Sequence, residues 1–168
     1  MELIAGTSRG VYRVKDGERL LDCASVKEVV EISGQLLVGC SAGLYRSLDG
    51  GEHWELIGFE ESEVWQIRAS QHRIWISTQP AGLYYSDDDG ATWNDVVAFN
   101  EAPERDSWCI PVDPILPGRA RALVINRVNP DQLLVGVEVG GIMRSEDGGA
   151  SWAMVLPGDN PDLHMIFQ

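Results

Sequence analysis

The sequence is poor in positive charge, and this limits the partners that the protein can have. It contains 13 lysine and arginine residues against 26 aspartate and glutamate residues, so its formal net charge at pH 7 is −13. Lys15 and Lys27 are the only lysines. Proteins that bind nucleic acid or an anionic membrane surface present a basic patch to the phosphate groups. We therefore expect a well-solvated surface, with neither nucleic acid nor a membrane as a partner.

Cysteine is also scarce. Cys23, Cys40 and Cys109 are an odd number at irregular spacing, and no C-x-x-C pair occurs. Structural zinc sites and dithiol redox motifs need closely paired cysteines, so neither is indicated. The first residues lack a basic segment followed by an apolar one, and no apolar run has membrane-spanning length. These features predict a reduced, cytoplasmic chain with no cofactor or metal.

What the sequence does contain is one eight-residue signature in three copies. The copies are SLDGGEHW at 47–54, SDDDGATW at 86–93 and SEDGGASW at 145–152, and each reads S-x-D-x-G-x-x-W. The Asp-Gly and Gly-Gly pairs suit a hairpin turn with positive φ. The aspartate and the serine can bond to amides of that turn, and the tryptophan can pack against the strands. A calcium loop is the alternative, but the spaced oxygen ligands of such a loop are missing.

Short apolar runs flank each signature at matching positions and predict four strands per repeat. The runs are rich in β-branched and aromatic residues, and no segment has sustained helical periodicity. Four strands in about 40 residues are typical of one blade of a β-propeller. The sequence therefore predicts an all-β fold, a β-propeller with about four four-stranded blades in a single domain, residues 1–168. The blades are predicted at 2–24, 26–59, 64–99 and 121–156, with a loop insertion at 100–120.

The two ends of the chain are predicted to complete each other. The first repeat holds three strands with a degenerate signature, and residues 162–168 resemble a single first strand. An open arc of blades would expose a sheet edge and a blade face, which proteins usually avoid. Three arrangements remain open: closure within the chain by the strand at 162–168, an eight-bladed dimer that exchanges these ends, or completion by a separate propeller chain.

The three signatures resemble the Asp-box, or BNR, repeats of the sialidase-like β-propeller superfamily, and the likeness covers nearly the whole chain. Similar boxes occur in sialidases, xyloglucan-cleaving hydrolases, sortilin-type receptors and photosystem II assembly factors. The resemblance implies that the boxes lie on the face away from the ligand pocket. The pocket would then be built from the loops at 7–9, 40–42, 79–81 and 138–140 and from the segments that enter each blade. The R-I-P motif of sialidases is absent, because Trp75 stands where the proline would follow Arg73 and Ile74.

Two residues on the implied pocket face are candidates for catalysis. Glu138 lies in an apolar, glycine-rich segment, VGVEVGG, where a buried carboxyl group could act as a general acid or base. The alternative is a structural carboxylate that accepts hydrogen bonds from neighbouring loop amides. His164 opens the last predicted strand and could act as a base or a ligand, or simply pack at the strand end. No other histidine is placed to join it, so no metal centre is predicted.

Five further residues are candidates for ligand binding. Arg9, Arg119 and Arg121 carry planar guanidinium groups that can hold a carboxylate or a phosphate, or can pair with the abundant acidic side chains. Trp65 and Trp108 offer flat faces for a sugar or an aromatic group. Blade packing is the alternative for Trp65, whereas Trp108 lies in a predicted loop and is the better ligand candidate.

Two functions follow from these candidates. The first is a binding or assembly module that presents a polar pocket built from loops, for a small polar or carbohydrate ligand or for another protein. The alternative is a sialidase-like propeller hydrolase or lyase that acts on a carbohydrate or on a carboxylated small molecule. Because a fold does not determine an activity, the sequence leaves open whether the protein is an enzyme.

Overall fold

The structure is a computed structural model that describes residues 3–156 and Ile166. The chain divides into two compact units, residues 1–67 and 68–168, and the boundary falls inside a strand. Most of the regular structure in the described residues is β, arranged as four sheets of three or four strands and one two-stranded hairpin. This confirms the predicted all-β fold built from blade-like sheets.

The first unit contains two complete sheets. The first sheet has three strands: β1 (Ile4–Thr7), β2 (Gly10–Arg13) and β3 (Arg19–Leu21). The second sheet has four strands: β4 (Glu28–Ile32), β5 (Gln35–Cys40), β6 (Gly43–Ser47) and β7 (Glu55–Gly58). Strands that are consecutive in the chain are neighbours in each sheet, as in a blade.

The third sheet begins with the strand that holds the unit boundary. Its strands are β8 (Glu63–Ser70), β9 (Arg73–Gln79), β10 (Gly82–Ser86) and β11 (Asn94–Asp95). After it come a short helix, α1 (Val97–Asn100), a 3-10 turn (Pro103–Ser107) and a hairpin of β12 (Cys109–Ile110) and β13 (Leu116–Pro117). The fourth sheet is made of β14 (Arg119–Ile125), β15 (Leu133–Glu138), β16 (Gly141–Ser145) and β17 (Ala153–Leu156).

Rows of apolar side chains across neighbouring strands form the cores. In the second sheet Val38 lies directly opposite both Val29 and Tyr45, and this row packs on the core of the first unit. Side chains in a strand alternate between the two faces of the sheet. Apolar residues at every second position of neighbouring strands therefore meet in rows across one face. Full burial of one such side chain stabilises the fold by about 1.5–3 kcal/mol.

The fourth strand of the third repeat is shorter than predicted. The sequence predicts a strand through Phe99, but only Asn94 and Asp95 pair with β10, and α1 follows. The side chain of Asn100 explains the change, because its amide imitates a strand at the edge of β10. Its Oδ1 accepts the Leu83 N–H at 2.8 Å and its Nδ2 donates to the Leu83 carbonyl at 3.0 Å.

The insertion predicted as a loop at 100–120 contains ordered structure of its own. Pro103–Ser107 forms the 3-10 turn, and the hairpin of β12 and β13 closes back on itself. The following strand begins at Arg119, two residues before its predicted start at 121. Arg119 and Arg121 therefore lie in a strand, and not in the segment that leads to it.

The predicted closing strand at 162–168 lies outside the described residues, apart from Ile166. Closure within the chain and association with a second chain therefore both stay predictions. The single-domain assignment likewise stays a prediction.

Candidate ligand-binding site

The three Asp-boxes form near-identical turns in which the polar groups that the three copies share form hydrogen bonds with one another. The serine hydroxyl of each box accepts the N–H of the second glycine position at 2.8 Å, from Gly51, Gly90 and Gly149. The aspartate accepts the backbone N–H four residues later at 2.8 or 2.9 Å. The box is thus a structural turn, as predicted. In residues 3–156 no three His, Cys, Asp or Glu side chains are grouped to hold a metal ion.

The hydrogen bonds in the second box favour the charged form of its aspartate. The Thr92 hydroxyl donates to Asp88 Oδ2 at 2.6 Å, and the Thr92 N–H and the Ser86 hydroxyl donate to Oδ1. These bonds, the Thr92 hydroxyl first, lower the pKa of Asp88 from 3.8 to about 2. The equivalent bonds from Ser151 lower the pKa of Asp147.

Because the pKa of Asp88 is lower in the folded protein, Asp88 stabilises the fold above the pKa of the unfolded chain, near 3.8. This contribution is lost as the pH falls from about 4 through about 2. We therefore expect the difference in thermal unfolding midpoint between the wild type and Asp88→Asn to shrink over this range. Circular dichroism melts at pH 6, 4 and 2.5 measure it, and a difference that stays constant would contradict the assigned role.

At the end of the fourth sheet opposite its box, three of the predicted site residues come together. Glu138 is the last residue of β15, and Arg119, the first residue of β14, lies directly opposite it. Between Ala120 and Ala122 the register of β14 shifts, so Arg121 is the extra residue of a β-bulge. A bulge re-aims the side chain of the unpaired residue. It brings the guanidinium group of Arg121 to the same carboxylate that Arg119 contacts.

The two arginines hold both oxygens of Glu138. Arg119 donates from Nη2 to Oε1 at 2.8 Å, and its Nε lies 2.7 Å from Oε2. Arg121 donates from Nη1 to Oε2 at 2.9 Å. The Glu138 side chain is 10% exposed, whereas those of Arg119 and Arg121 are 24% and 28% exposed. The partners of Glu138 are thus guanidinium groups, and not the loop amides considered as the alternative in the sequence.

This arrangement, which we call the arginine–glutamate cluster (Arg119, Arg121 and Glu138), leaves part of each arginine side chain exposed to solvent. A guanidinium group has five N–H donors, so it can hold a carboxylate and a further oxygen at the same time. With two cations and one anion, the cluster carries one net positive charge in a chain whose net charge is −13. Partly exposed guanidinium side chains are suited to a carboxylate, a phosphate or a carbonyl oxygen.

The ordered insertion supports this end of the fourth sheet. The Gly118 N–H donates to the Trp108 carbonyl at 2.8 Å, and the Gly118 carbonyl accepts the Ala81 N–H at 2.7 Å. Gln79 donates from Nε2 to the Pro117 carbonyl at 2.9 Å, and Arg105 donates from Nη1 to the Ala81 carbonyl. Arg119 follows Gly118 directly, so these bonds position the start of β14.

Trp108 has a packing role in this structure. It is buried in the core of the second unit, and its ring centroid lies 5.2 Å from that of Phe99. A Cβ atom on Gly140 would come within 2.7 Å of Trp108 Cδ1, so the turn after Glu138 rests directly on the indole. Its assignment as a ligand residue stays a prediction. A ligand would need a face of the indole ring that the core covers in this structure.

The remaining predicted residues lie elsewhere. Arg9 and Trp65 belong to the first unit. Arg9 is exposed in the turn after β1, and the half-buried ring of Trp65 lies 4.3 Å from Lys27 Nζ. Both stay predictions as ligand residues. His164 lies outside the described residues, so the structure does not test its assignment.

One cleft was not predicted from the sequence. It has a volume of about 330 Å³ on the box side of the second unit. Its lining includes Arg73, which pairs with Asp87 at 2.7 Å and lies 4.0 Å from the ring centroid of Tyr85. The signal that could have indicated it is the position of Arg73, at the start of a strand beside an acidic box.

Comparison with known protein families identifies the family of this chain. The family described as photosynthesis system II assembly factor YCF48 matches residues 12–159. The chain belongs to this family. Its membership confirms the resemblance to BNR repeats and to sialidase-like propellers that the three boxes carry.

The proteins that are similar to this YCF48-family chain carry different names. A protein named sialidase from Bacteroides fragilis (strain YCH46) is 27% identical over 194 residues, covering 89% of this chain and 32% of the relative. A GH74 xyloglucanase from Xanthomonas campestris has a TM-score of 0.65 at 19% identity, covering 92% of this chain and 28% of that one. A structure of YCF48 bound to D1 peptide has a TM-score of 0.51 at 23% identity, covering 77% and 38%.

These likenesses define the fold as that of sialidase-like β-propellers. The chain spans about a third of the length of each of these relatives. None of the helices in the described part of this YCF48-family chain has the length and apolar content needed to cross a membrane.

Proposed function

We propose that this chain is a binding and assembly module, in which the arginine–glutamate cluster holds a polar or negatively charged group of a partner. The observation that carries the proposal is the division of roles between the three side chains. Glu138 is buried and uses both of its oxygens on the arginines, while the arginines keep about a quarter of their surface exposed. We therefore infer that the exposed parts of the two arginines, and not the carboxylate, meet the ligand.

The same geometry favours binding over general acid or base catalysis. A catalytic carboxyl group must exchange a proton with a substrate that lies within hydrogen-bond reach. Both oxygens of Glu138 already accept hydrogen bonds from cations. A carboxylate held in this way orients the guanidinium groups, as the buried partners of ligand-binding arginines commonly do.

The YCF48 family and its peptide complex suggest the class of ligand. A structure of YCF48 contains a bound D1 peptide, so a related propeller binds a peptide segment of a partner protein. For the present chain we propose an extended peptide segment whose carboxylate or carbonyl oxygens reach Arg119 and Arg121. The chain is acidic overall, so its long-range electrostatic attraction for an anion is weak. Direct hydrogen bonds must therefore supply the affinity.

Removing one arginine is expected to weaken peptide binding by about 10-fold to 100-fold, because a hydrogen bond to a charged group contributes about 1.5–3 kcal/mol. A random peptide library is first selected on the wild-type chain, and the peptide obtained is labelled with fluorescein. Its Kd is then measured by fluorescence anisotropy for the wild type and for Arg121→Gln. Arg119 still pairs with Glu138 in this variant, so the carboxylate keeps a partner.

Arg127→Gln is the matched control. Arg127 is exposed and follows the far end of β14, so its loss removes the same charge away from the cluster. Its Kd is expected to stay near that of the wild type. Equal affinity of Arg121→Gln and the wild type, or the failure of the selection to yield any peptide, would reject the proposed function.

The second candidate is a hydrolase that acts on a carbohydrate or a carboxylated small molecule. It is favoured by the relative named sialidase and by the nearness of a carboxylate to two arginines. A glycoside panel tests it, because turnover that disappears in Glu138→Gln would support catalysis. A cytoplasmic location and association with another propeller chain are further parts of the proposal.

A further inference from the structure

Two buried cysteines lie side by side in the first unit. Cys23 follows β3 of the first sheet, and Cys40 is the last residue of β5 in the second sheet. Both belong to one hydrophobic cluster, with exposed fractions of 5% and 0%, and a hydrogen bond joins their thiol groups. The two residues are 17 positions apart in the chain, so their spacing in the sequence did not indicate a thiol pair.

Backbone hydrogen bonds hold the two cysteine-bearing segments together. The Ser41 N–H and the Ser41 hydroxyl both donate to the Ala24 carbonyl, at 3.2 and 2.7 Å. The residues that directly follow the two cysteines are therefore bonded to each other. The Lys27 N–H donates to the Gly39 carbonyl at 2.8 Å, so the segment that enters β4 also pairs with the end of β5. A disulfide needs two sulfur atoms in contact on neighbouring backbones, and this arrangement supplies both.

The connection that carries Cys23 is thin and locally strained. Asp22 and Ala24, on either side of Cys23, are both exposed, so the thiol is buried by the thickness of a single residue. Ser25 has a φ of 52°, which is an unfavourable conformation for a residue other than glycine. Local opening of such a short connection costs less free energy than global unfolding, so a small solute can reach the two sulfur atoms.

We propose that Cys23 and Cys40 form a modification site, at which a small peroxide such as hydrogen peroxide oxidises the two thiols to a reversible disulfide. The thiolate of Cys40 attacks one peroxide oxygen and breaks the O–O bond, which gives a sulfenic acid and a hydroxide that takes up a proton. The sulfur of Cys23 then displaces the sulfenic hydroxyl group, which leaves as water with the proton of Cys23. In total the two thiols lose two electrons and two protons, and one peroxide becomes two water molecules.

The order of the two steps follows from the surroundings of each sulfur. Burial, together with the nearby Cys40 sulfur, raises the pKa of Cys23 to about 12, so Cys23 stays a thiol at neutral pH. Cys40 Sγ accepts the Ala42 N–H at 3.4 Å, and a bond of this kind becomes stronger when the acceptor is negatively charged. Cys40 therefore attacks first, and Cys23 resolves the sulfenic acid. The disulfide ties the connection between the first two sheets to the loop at 40–42.

The test is peptide mapping by mass spectrometry after the reduced, folded, full-length chain has been treated with hydrogen peroxide. Remaining thiols are blocked with iodoacetamide in denaturant before digestion. Trypsin cleaves after lysine and arginine, which places the three cysteines in three separate peptides, 20–27, 28–46 and 106–119. We expect peptides 20–27 and 28–46 to be joined, with a mass about 2 Da below the sum of the two thiol forms. Dithiothreitol should separate them again.

Cys109→Ala is the matched control, because it removes the third thiol and should leave the link unchanged. In Cys23→Ala the sulfenic acid on Cys40 has no resolving thiol, so dimedone should label peptide 28–46. Cys40→Ala should give at most about a tenth of that labelling, on peptide 20–27. Circular dichroism checks folding, and the wild-type map decides the proposal alone if a variant fails to fold.

Two unlinked peptides after peroxide treatment would overturn the proposal. A disulfide that involves peptide 106–119 instead, or equal dimedone labelling of the two variants, would overturn it as well. Neither Cys23 nor Cys40 belongs to the arginine–glutamate cluster, so this proposal and the proposed function can fail independently.

Discussion

Replacing Phe99 with alanine is expected to lower the free energy of unfolding of the second unit by about 3–5 kcal/mol. Phe99 is fully buried, and its ring centroid lies 5.2 Å from that of Trp108 and 5.2 Å from that of Trp152. Truncation would remove the aromatic contacts on both sides and leave a cavity between two large rings. Urea unfolding followed by tryptophan fluorescence measures the loss directly.

Val97→Ala is the control for this prediction, because Val97 lies on the same short helix but is exposed. Its effect is expected to stay within about 0.5 kcal/mol, as for most surface substitutions. If the two variants lose similar stability, the helix would matter through its backbone, and the packing of Phe99 would not be the cause.

The effect of Phe99 should extend to the candidate site. Trp108 packs between Phe99 and Gly140, which is in the turn that follows Glu138. A cavity at position 99 frees the indole to shift, and the turn that rests on it can then shift too. We therefore expect Phe99→Ala to weaken peptide binding as well as stability, although Phe99 does not itself contact a ligand.

The repeated turns could be predicted from the sequence because each depends on residues close together in the chain. Every hydrogen bond that defines a box joins residues two to four positions apart. The short connections at 7–9, 40–42, 79–81 and 138–140 were likewise predicted, and each joins two paired strands of one sheet. Local chemistry of this kind is independent of how the sheets pack.

The partners of Glu138 could not be predicted, because they depend on register. Arg119 and Arg121 precede Glu138 by 19 and 17 residues, and the bulge at Arg121 brings both to one carboxylate. No local pattern indicates a bulge at an arginine between two alanines. The sequence therefore identified the three residues separately, with an ion pair as the alternative for the arginines and bonds from loop amides as the alternative for Glu138, without showing that they form one cluster.

The burial of Trp108 was missed for a related reason. The residue lies in an insertion rich in proline and charge, which is typical of a solvated loop. What buries its ring is contact with Phe99, on a helix that the sequence pattern did not indicate, and with Gly140 more than 30 positions later. Tertiary contacts of this kind override the local preference.

Glu138→Ala is expected to destabilise the second unit by about 2–4 kcal/mol, because it leaves two partly buried guanidinium groups without their shared anion. The partial exposure of Arg119 and Arg121 places the value below that of a fully buried pair. The measurement is the free energy of unfolding in urea. Glu138→Gln should cost less, since its amide oxygen still accepts one of the hydrogen bonds.

Glu146→Ala separates the effect of burial from the effect of charge. Glu146 pairs with Arg144 at 2.9 Å in the same sheet, but both side chains are about half exposed. Such exposed pairs contribute about 0–1 kcal/mol, so this variant should stay close to the wild type. Equal losses in Glu146→Ala and Glu138→Ala would mean that burial adds nothing at the cluster. A much larger loss in Glu138→Ala would instead mean that the fold depends on the same carboxylate that orients Arg119 and Arg121 for a ligand.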